Sequence, residues 1–224
     1  MELTKEQLRK LYHYINSCGI KYYDVKMEVI DHFASILEEE LEEKPNLNFK
    51  EKIVEVHKNF GEEGLNGFLD SKRKSINKRF LKSTYKYLKT FFKLPKIIFS
   101  ISVFYALFLI MNQFKDKESF FTYISGVCTL ILLQLLLRVK GNYTENKFLL
   151  IDRTENFLGL TFLLFYIGII QTNNIRSTES FSNSTYNVLE LGFFIFFLLI
   201  YWSGEYVYYQ NKKEIKKQYP GVII

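Results

Sequence analysis

Cysteine is nearly absent: two residues in a chain of 224. Cys18 falls in a polar N-terminal stretch and Cys128 inside an apolar run, so a disulfide between them is not expected. A paired-cysteine metal motif is excluded, and both thiols read as small buried side chains. The phosphate-cradling Gly-rich loop, the His-Glu-x-x-His helix and the Gly-x-Ser-x-Gly turn are also missing, so nothing indicates an enzyme or a bound cofactor. No internal repeat suggests the duplicated halves of a transporter. The N-terminus reads as a soluble helix with no signal peptide, so the first apolar run would act as its own insertion signal. Acidic residues are missing altogether from positions 71–96, which hold ten Lys and Arg.

What is present divides the chain. Residues 1–70 carry a net charge of −6, residues 71–96 one of +10, and the rest one of +2. A mean hydropathy of −0.05 therefore averages unlike parts. The basic balance comes from one short segment, and the acidic stretch beside it argues against nucleic acid as a partner.

Four apolar stretches follow, about Leu94–Phe114, Phe120–Leu137, Phe157–Ile170 and Val188–Tyr206. A helix needs about 20 mostly apolar residues to cross about 30 Å of hydrocarbon. The third is short unless Phe148–Ile151 joins it, which places Asp152, Arg153 and Glu155 near an interface. One long helix is the preferred reading; an interfacial stub before a short span is the other. The expected fold is all-α, a small cytoplasmic helical domain followed by a four-helix transmembrane segment. Its parts are a domain at 1–70, a basic juxtamembrane helix at 71–93, spans at about 94–114, 120–137, 148–170 and 188–209, and a basic tail at 211–224.

Lysine and arginine in the flanks set the expected orientation. With both termini inside, fifteen of these residues lie inside and three, Lys115, Lys117 and Arg176, outside. The positive-inside rule then predicts N-in and C-in, in a bacterial inner membrane. Tyr201, Trp202, Tyr206, Tyr208 and Tyr209 read as an aromatic belt at the inner face. The loop Gln171–Asn187 reads as external; its Asn183-Ser184-Thr185 matches a glycosylation acceptor too short to carry weight.

In the N-terminal part, Thr4 and Gln7 form a capping-box pattern ahead of Leu8, Leu11, Tyr12 and Ile15, and Gly19 is the expected stop. A second helix is expected over about Asp24–Glu43, ended by Pro45, and a third over Phe49–Phe60, followed by a glycine-punctuated turn and a fourth from Gly64. The predicted core is Leu11, Ile15, Val29, Phe33, Ile36, Ile53, Val56 and Phe60. Glu38, Glu39, Glu40, Glu42 and Glu43 crowd the C-terminal end of the second helix, where the dipole disfavours acids. Glu38, Glu39, Glu42 and Glu43 are therefore a candidate face for a basic protein partner.

This layout, with Glu28–Glu39 and the turn Phe60–Leu65, resembles the HAAS domains. These are small cytoplasmic helical domains ahead of multi-pass segments in bacterial membrane proteins often encoded beside PadR-type regulators. It also looks like the helical prefix of some bacterial permeases. The family turn often contains Gly-Asp-Pro, where this chain has Gly61-Glu62-Glu63. The resemblance covers residues 1–70 and implies a regulatory or interaction domain.

Three further sets of residues could carry function. Lys74, Lys78, Lys82 and Lys86 recur every fourth residue, followed by Lys89 and Lys93, with Ile76, Phe80, Leu81, Leu88 and Phe92 as an apolar face. That pattern suits a cationic amphipathic helix on an anionic inner leaflet, stopped by Pro95; it is also an ordinary topology signal. Asn112, Gln134, Glu190 and Glu205 are among the few polar residues within the apolar stretches and could line an ion or proton path, although both acids lie near interfaces. Glu28, Asp31 and His32 lie within about a turn of one another, and with the more distant His57 could present ligands to a metal, but a partly exposed polar stripe is the preferred reading and no metal is expected. The function these features favour is a regulatory or scaffold subunit binding another protein or a second copy of itself. The alternative is a small transporter or channel component.

Overall fold

The computed structural model describes residues 2–44, 48–59, 64–141, 147–175 and 183–220. Eight α-helices run α1 Lys5–Ser17, α2 Tyr23–Glu43, α3 Phe49–Lys58, α4 Gly64–Leu88, α5 Lys96–Gln113, α6 Lys117–Gly141, α7 Leu149–Ile175 and α8 Asn183–Gln218, with no strand among the described residues. The chain forms two units. Unit 1 takes Met1–Ile76, Tyr143–Arg153 and Pro220–Ile224; unit 2 takes Asn77–Asn142 and Thr154–Tyr219.

Unit 1 is built from amphipathic helices. Thr4 caps α1: its hydroxyl oxygen accepts the Gln7 N–H at 3.3 Å, and Gln7 Oε1 accepts the Thr4 N–H at 2.8 Å. Gly19 follows the helix with φ +76°, a conformation that other residues reach only with strain. Along α2, Val25, Val29, Phe33, Leu37 and Leu41 are buried at four-residue spacing and close on Leu11 and Ile15 of α1 and Ile53 and Val56 of α3. Ile36 is only half-buried, because Leu37 takes the inward position.

Two boundaries differ from expectation. Leu149, fully buried, belongs to the core of unit 1, so that core does not end at residue 70. The basic segment is not a separate helix either: α4 runs unbroken from Gly64 through Lys86, and a 3-10 turn, Lys89–Phe92, separates it from α5. Pro95 stands at the N-cap of α5 rather than at the end of the basic helix. Pro45, Phe60 and the Gly61–Glu63 part of the predicted turn, and Arg176, lie outside the described residues.

Unit 2 has a largely aromatic and aliphatic interior, with Phe121 and Cys128 of α6, Phe162 and Phe165 of α7, and Leu191 and Leu199 of α8 in one cluster. Among the described residues, α5, α6 and α8 are long and apolar enough to cross a membrane. α7 is one continuous helix, as preferred from sequence, but Asp152, Arg153 and Glu155 interrupt its first turns, and it is not among those three. The α8 helix has 36 residues, about 54 Å at about 1.5 Å per residue, so the predicted span and tail are one rod carrying Lys212, Lys213, Lys216 and Lys217. It starts at Asn183, so the acceptor-like tripeptide belongs to a helix and not to a loop. Only 6% of the apolar window of α5 is buried, against 44% of that of α8, which makes α8 the central helix and α5 a peripheral one.

Candidate functional site: a helix-terminal clamp and a buried polar tier

The clamp lies in unit 1. The first N–H groups of any helix lack intrahelical acceptors and carry partial positive charge. At the start of α7, Asp24 supplies the acceptors from the first turn of α2. Its Oδ1 takes the Leu149 N–H at 2.8 Å and the Val25 N–H at 3.1 Å; its Oδ2 takes the Leu150 N–H at 3.2 Å. The Tyr23 N–H donates to the Lys147 carbonyl at 2.7 Å, and the Tyr22 hydroxyl donates to Asp152 at 3.2 Å. Burial pushes the Asp24 carboxyl above its ordinary range, while the N–H donors pull the other way. The Tyr22 hydroxyl is pushed up by burial and then by the charge of Asp152.

The polar tier lies in unit 2, where α6, α7 and α8 meet. Arg138 Nη1 donates to Glu205 Oε1 at 2.8 Å, with side chains 20% and 12% exposed. The Arg138 guanidinium stands 5.1 Å from the ring centroid of Tyr208. The Tyr208 hydroxyl donates to Glu155 Oε1 at 2.8 Å, and Asn211 Nδ2 donates to Thr154 Oγ1 at 3.1 Å. Glu205, Tyr208 and Asn211 recur every three residues, which keeps them along one side of α8. Each charge in this tier has a partner. Such a network fixes the register of packed helices, since a slip would strand buried polar groups.

The residues predicted to form a polar path do not share one environment. Asn112 on α5 and Gln134 on α6 are exposed, Glu205 is paired with Arg138, and Glu190 is buried on α8 at 6% exposure. Thr154, Glu155, Tyr208 and Asn211 were missed as a set. Their partners lie more than fifty residues away, and no local spacing announces such a pairing. Asp24 was missed for the same reason, with its α7 partners 125 and 126 residues distant.

Lys74, Lys78, Lys82, Lys86, Lys89 and Lys93 are all exposed. Their apolar companions divide. Phe80 is buried with its ring 5.3 Å from that of Phe157, and Leu88 is half-buried, whereas Leu81 and Phe92 are exposed. Of the acids ending α2, Glu38 accepts the Leu3 N–H at 2.9 Å and Glu40 pairs with Lys52 at 3.0 Å; Glu39, Glu42 and Glu43 are exposed. Glu28 pairs with Lys72 at 2.5 Å, and His57 Nδ1 lies 2.7 Å from the Tyr14 hydroxyl. No group of three or more His, Cys, Asp or Glu among the described residues could hold a metal ion.

Fold and site together define a class: an all-helical protein with apolar helices of membrane-crossing length and an amphipathic N-terminal unit. Comparison with protein-family models, with curated proteins and with solved structures finds no match to this chain.

Proposed function

We propose that the protein is a membrane-anchored regulatory or scaffold subunit of a bacterial inner membrane, with unit 1 as a cytoplasmic domain that binds another protein or a second copy. The clamp at Asp24 carries this reading. The core of unit 1 closes on Leu149, and Asp24 holds the first N–H groups of α7, a helix that continues to Ile175. A partner that shifts α2 would therefore act directly on the start of a long, largely apolar helix. The exposed Glu39, Glu42 and Glu43 suit a basic surface on that partner. The resemblance of residues 1–70 to HAAS domains points the same way. In this reading α7 is the third of four spans, both termini are cytoplasmic, and the basic stripe of α4 faces anionic lipid.

Purification in mild detergent from the native membrane tests the reading. A stoichiometric partner, or a stable oligomer, that is lost on changing Glu39, Glu42 and Glu43 to Gln supports it; a monomer with neither rejects it. Reporter fusions after Asn142 and Gln210 should read cytoplasmic, and one after Ser180 external. An external reading at Gln210 removes α7 as a span. A second reading, a small transporter or channel component, draws on Glu190, an acid buried on an otherwise apolar stretch of α8. Flux after reconstitution that is abolished by Glu190→Gln would favour it.

A further inference from the structure

Unit 2 contains an apolar groove of about 260 Å3 that the clamp and the polar tier do not use. Leu81, Tyr85 and Leu88 of α4 form one wall, Leu158 and Phe162 of α7 a second, and Ile200 of α8 part of the third. Gly204 closes the back: a Cβ there would lie 2.4 Å from Leu158 Cδ2, so a larger residue would push the Leu158 side chain from its present place on the wall. One wall atom is out of character. Thr84 Oγ1 is buried and has no hydrogen-bond partner, although a threonine hydroxyl in a helix ordinarily finds one on the preceding turn. Apolar walls with a single unused hydroxyl suit a hydrocarbon chain that carries one acceptor.

The rim supplies the charge. Lys78, Leu81 and Tyr85 follow at three- and four-residue spacing and so share a face of α4, and Lys89, which opens the 3-10 turn after it, has its Nζ 4.5 Å over the Tyr85 ring. Lys82 and Lys86 are on the adjoining stripe. All four lysines are exposed, and none is in an ion pair among the described residues. The groove falls below the roughly 300–1,000 Å3 usual for whole small-molecule ligands, and a chain segment fits it better than a compact molecule.

We propose that this groove holds one acyl chain of an anionic glycerophospholipid, with the Thr84 hydroxyl donating to the ester carbonyl and Lys78 and Lys89 pairing with the phosphate. The inference goes beyond a general attraction of the lysine stripe to the membrane surface, and rests on the membrane reading above. The test uses the full chain in nanodiscs containing phosphatidylglycerol with a diazirine in its acyl chain. Photolysis and peptide mapping should place label on the Leu81–Tyr85, Leu158 and Ile200 peptides several-fold above the exposed face of α5 at Ile101 and Tyr105. Leu81→Trp, at a half-exposed position that tolerates size, should displace the groove label and leave that on α5 unchanged. Lys78→Gln with Lys89→Gln should lower it to the level found with phosphatidylcholine of the same chain. Equal labelling of groove and α5, or equal labelling by the two headgroups, overturns the proposal and leaves the membrane reading standing. Absence of label from α5 and α6 as well overturns both.

Discussion

The two units distribute apolar and polar side chains in opposite senses. In unit 1 the interior is apolar and the exterior charged; among the described residues, only Leu8, Tyr12 and Val54 of the exposed large apolar ones belong to it. In unit 2 the long exposed apolar series includes Ile98, Ile101, Leu130, Leu133, Leu160 and Leu164, while Thr154, Glu155, Ser203, Glu190 and Asn211 are buried. Water drives the first arrangement, because apolar area leaves it. The second suits hydrocarbon, where apolar surface is at no disadvantage outside and polar groups find partners inside. The contrast explains why a single mean hydropathy says little about this chain.

The contrast can be broken most sharply at Phe33, which is fully buried in unit 1. Phe33→Ala should destabilise that unit by about 3–5 kcal/mol. Hydrogen exchange on the full chain should show α1–α3 losing protection while α8 keeps it; loss of protection in both would mean that the units unfold as one. Leu149→Ala should weaken unit 1 by about 2–5 kcal/mol, although it lies on α7. If α1–α3 exchange is unchanged by that substitution, the start of α7 is not part of their core.

The interior of unit 2 is tested at its ion pair. Glu205→Leu alone leaves the Arg138 guanidinium largely desolvated and unpaired and should destabilise the bundle by about 1–3 kcal/mol, whereas Arg138→Met with Glu205→Leu should recover most of the loss. Thermal melts in detergent distinguish these; equal melting of all three proteins would mean that solvent reaches the pair.

The smallest effect is expected at Asp24. Asp24→Asn keeps one acceptor but replaces the other with an amide donor that faces a backbone N–H, and should weaken the clamp by about 0.5–2 kcal/mol. The carboxyl is raised by burial, so the folded unit holds that proton to a higher pH than the unfolded chain does. Its contribution is therefore largest in acid and declines as pH rises from the ordinary carboxylate range through the raised value. A chemical-denaturation series across that window should fall for the parent and flatten for Asp24→Asn; parallel slopes would assign the pH dependence to another group.

Much of this molecule was legible residue by residue. Thr4, Gln7 and Gly19 mark the ends of α1 by local backbone chemistry, and α2 follows from the four-residue spacing of Val25, Val29 and Phe33. The apolar runs of α5, α6 and α8 announce themselves by length. The join between Gly64 and Leu88 was harder, because a change of charge at residue 71 looks like a boundary while backbone hydrogen bonding ignores it.

Sequence alone thus determined helix content, the placement of the apolar runs and the charge asymmetry, since all three depend on neighbours within a few turns. Tertiary structure decided that Asp24 holds α7, that Arg138 answers Glu205, and that Thr84 stands unpartnered in a groove. Those outcomes depend on which distant segments meet, and periodicity of 3.6 residues carries no information about the helix on the other side of a contact.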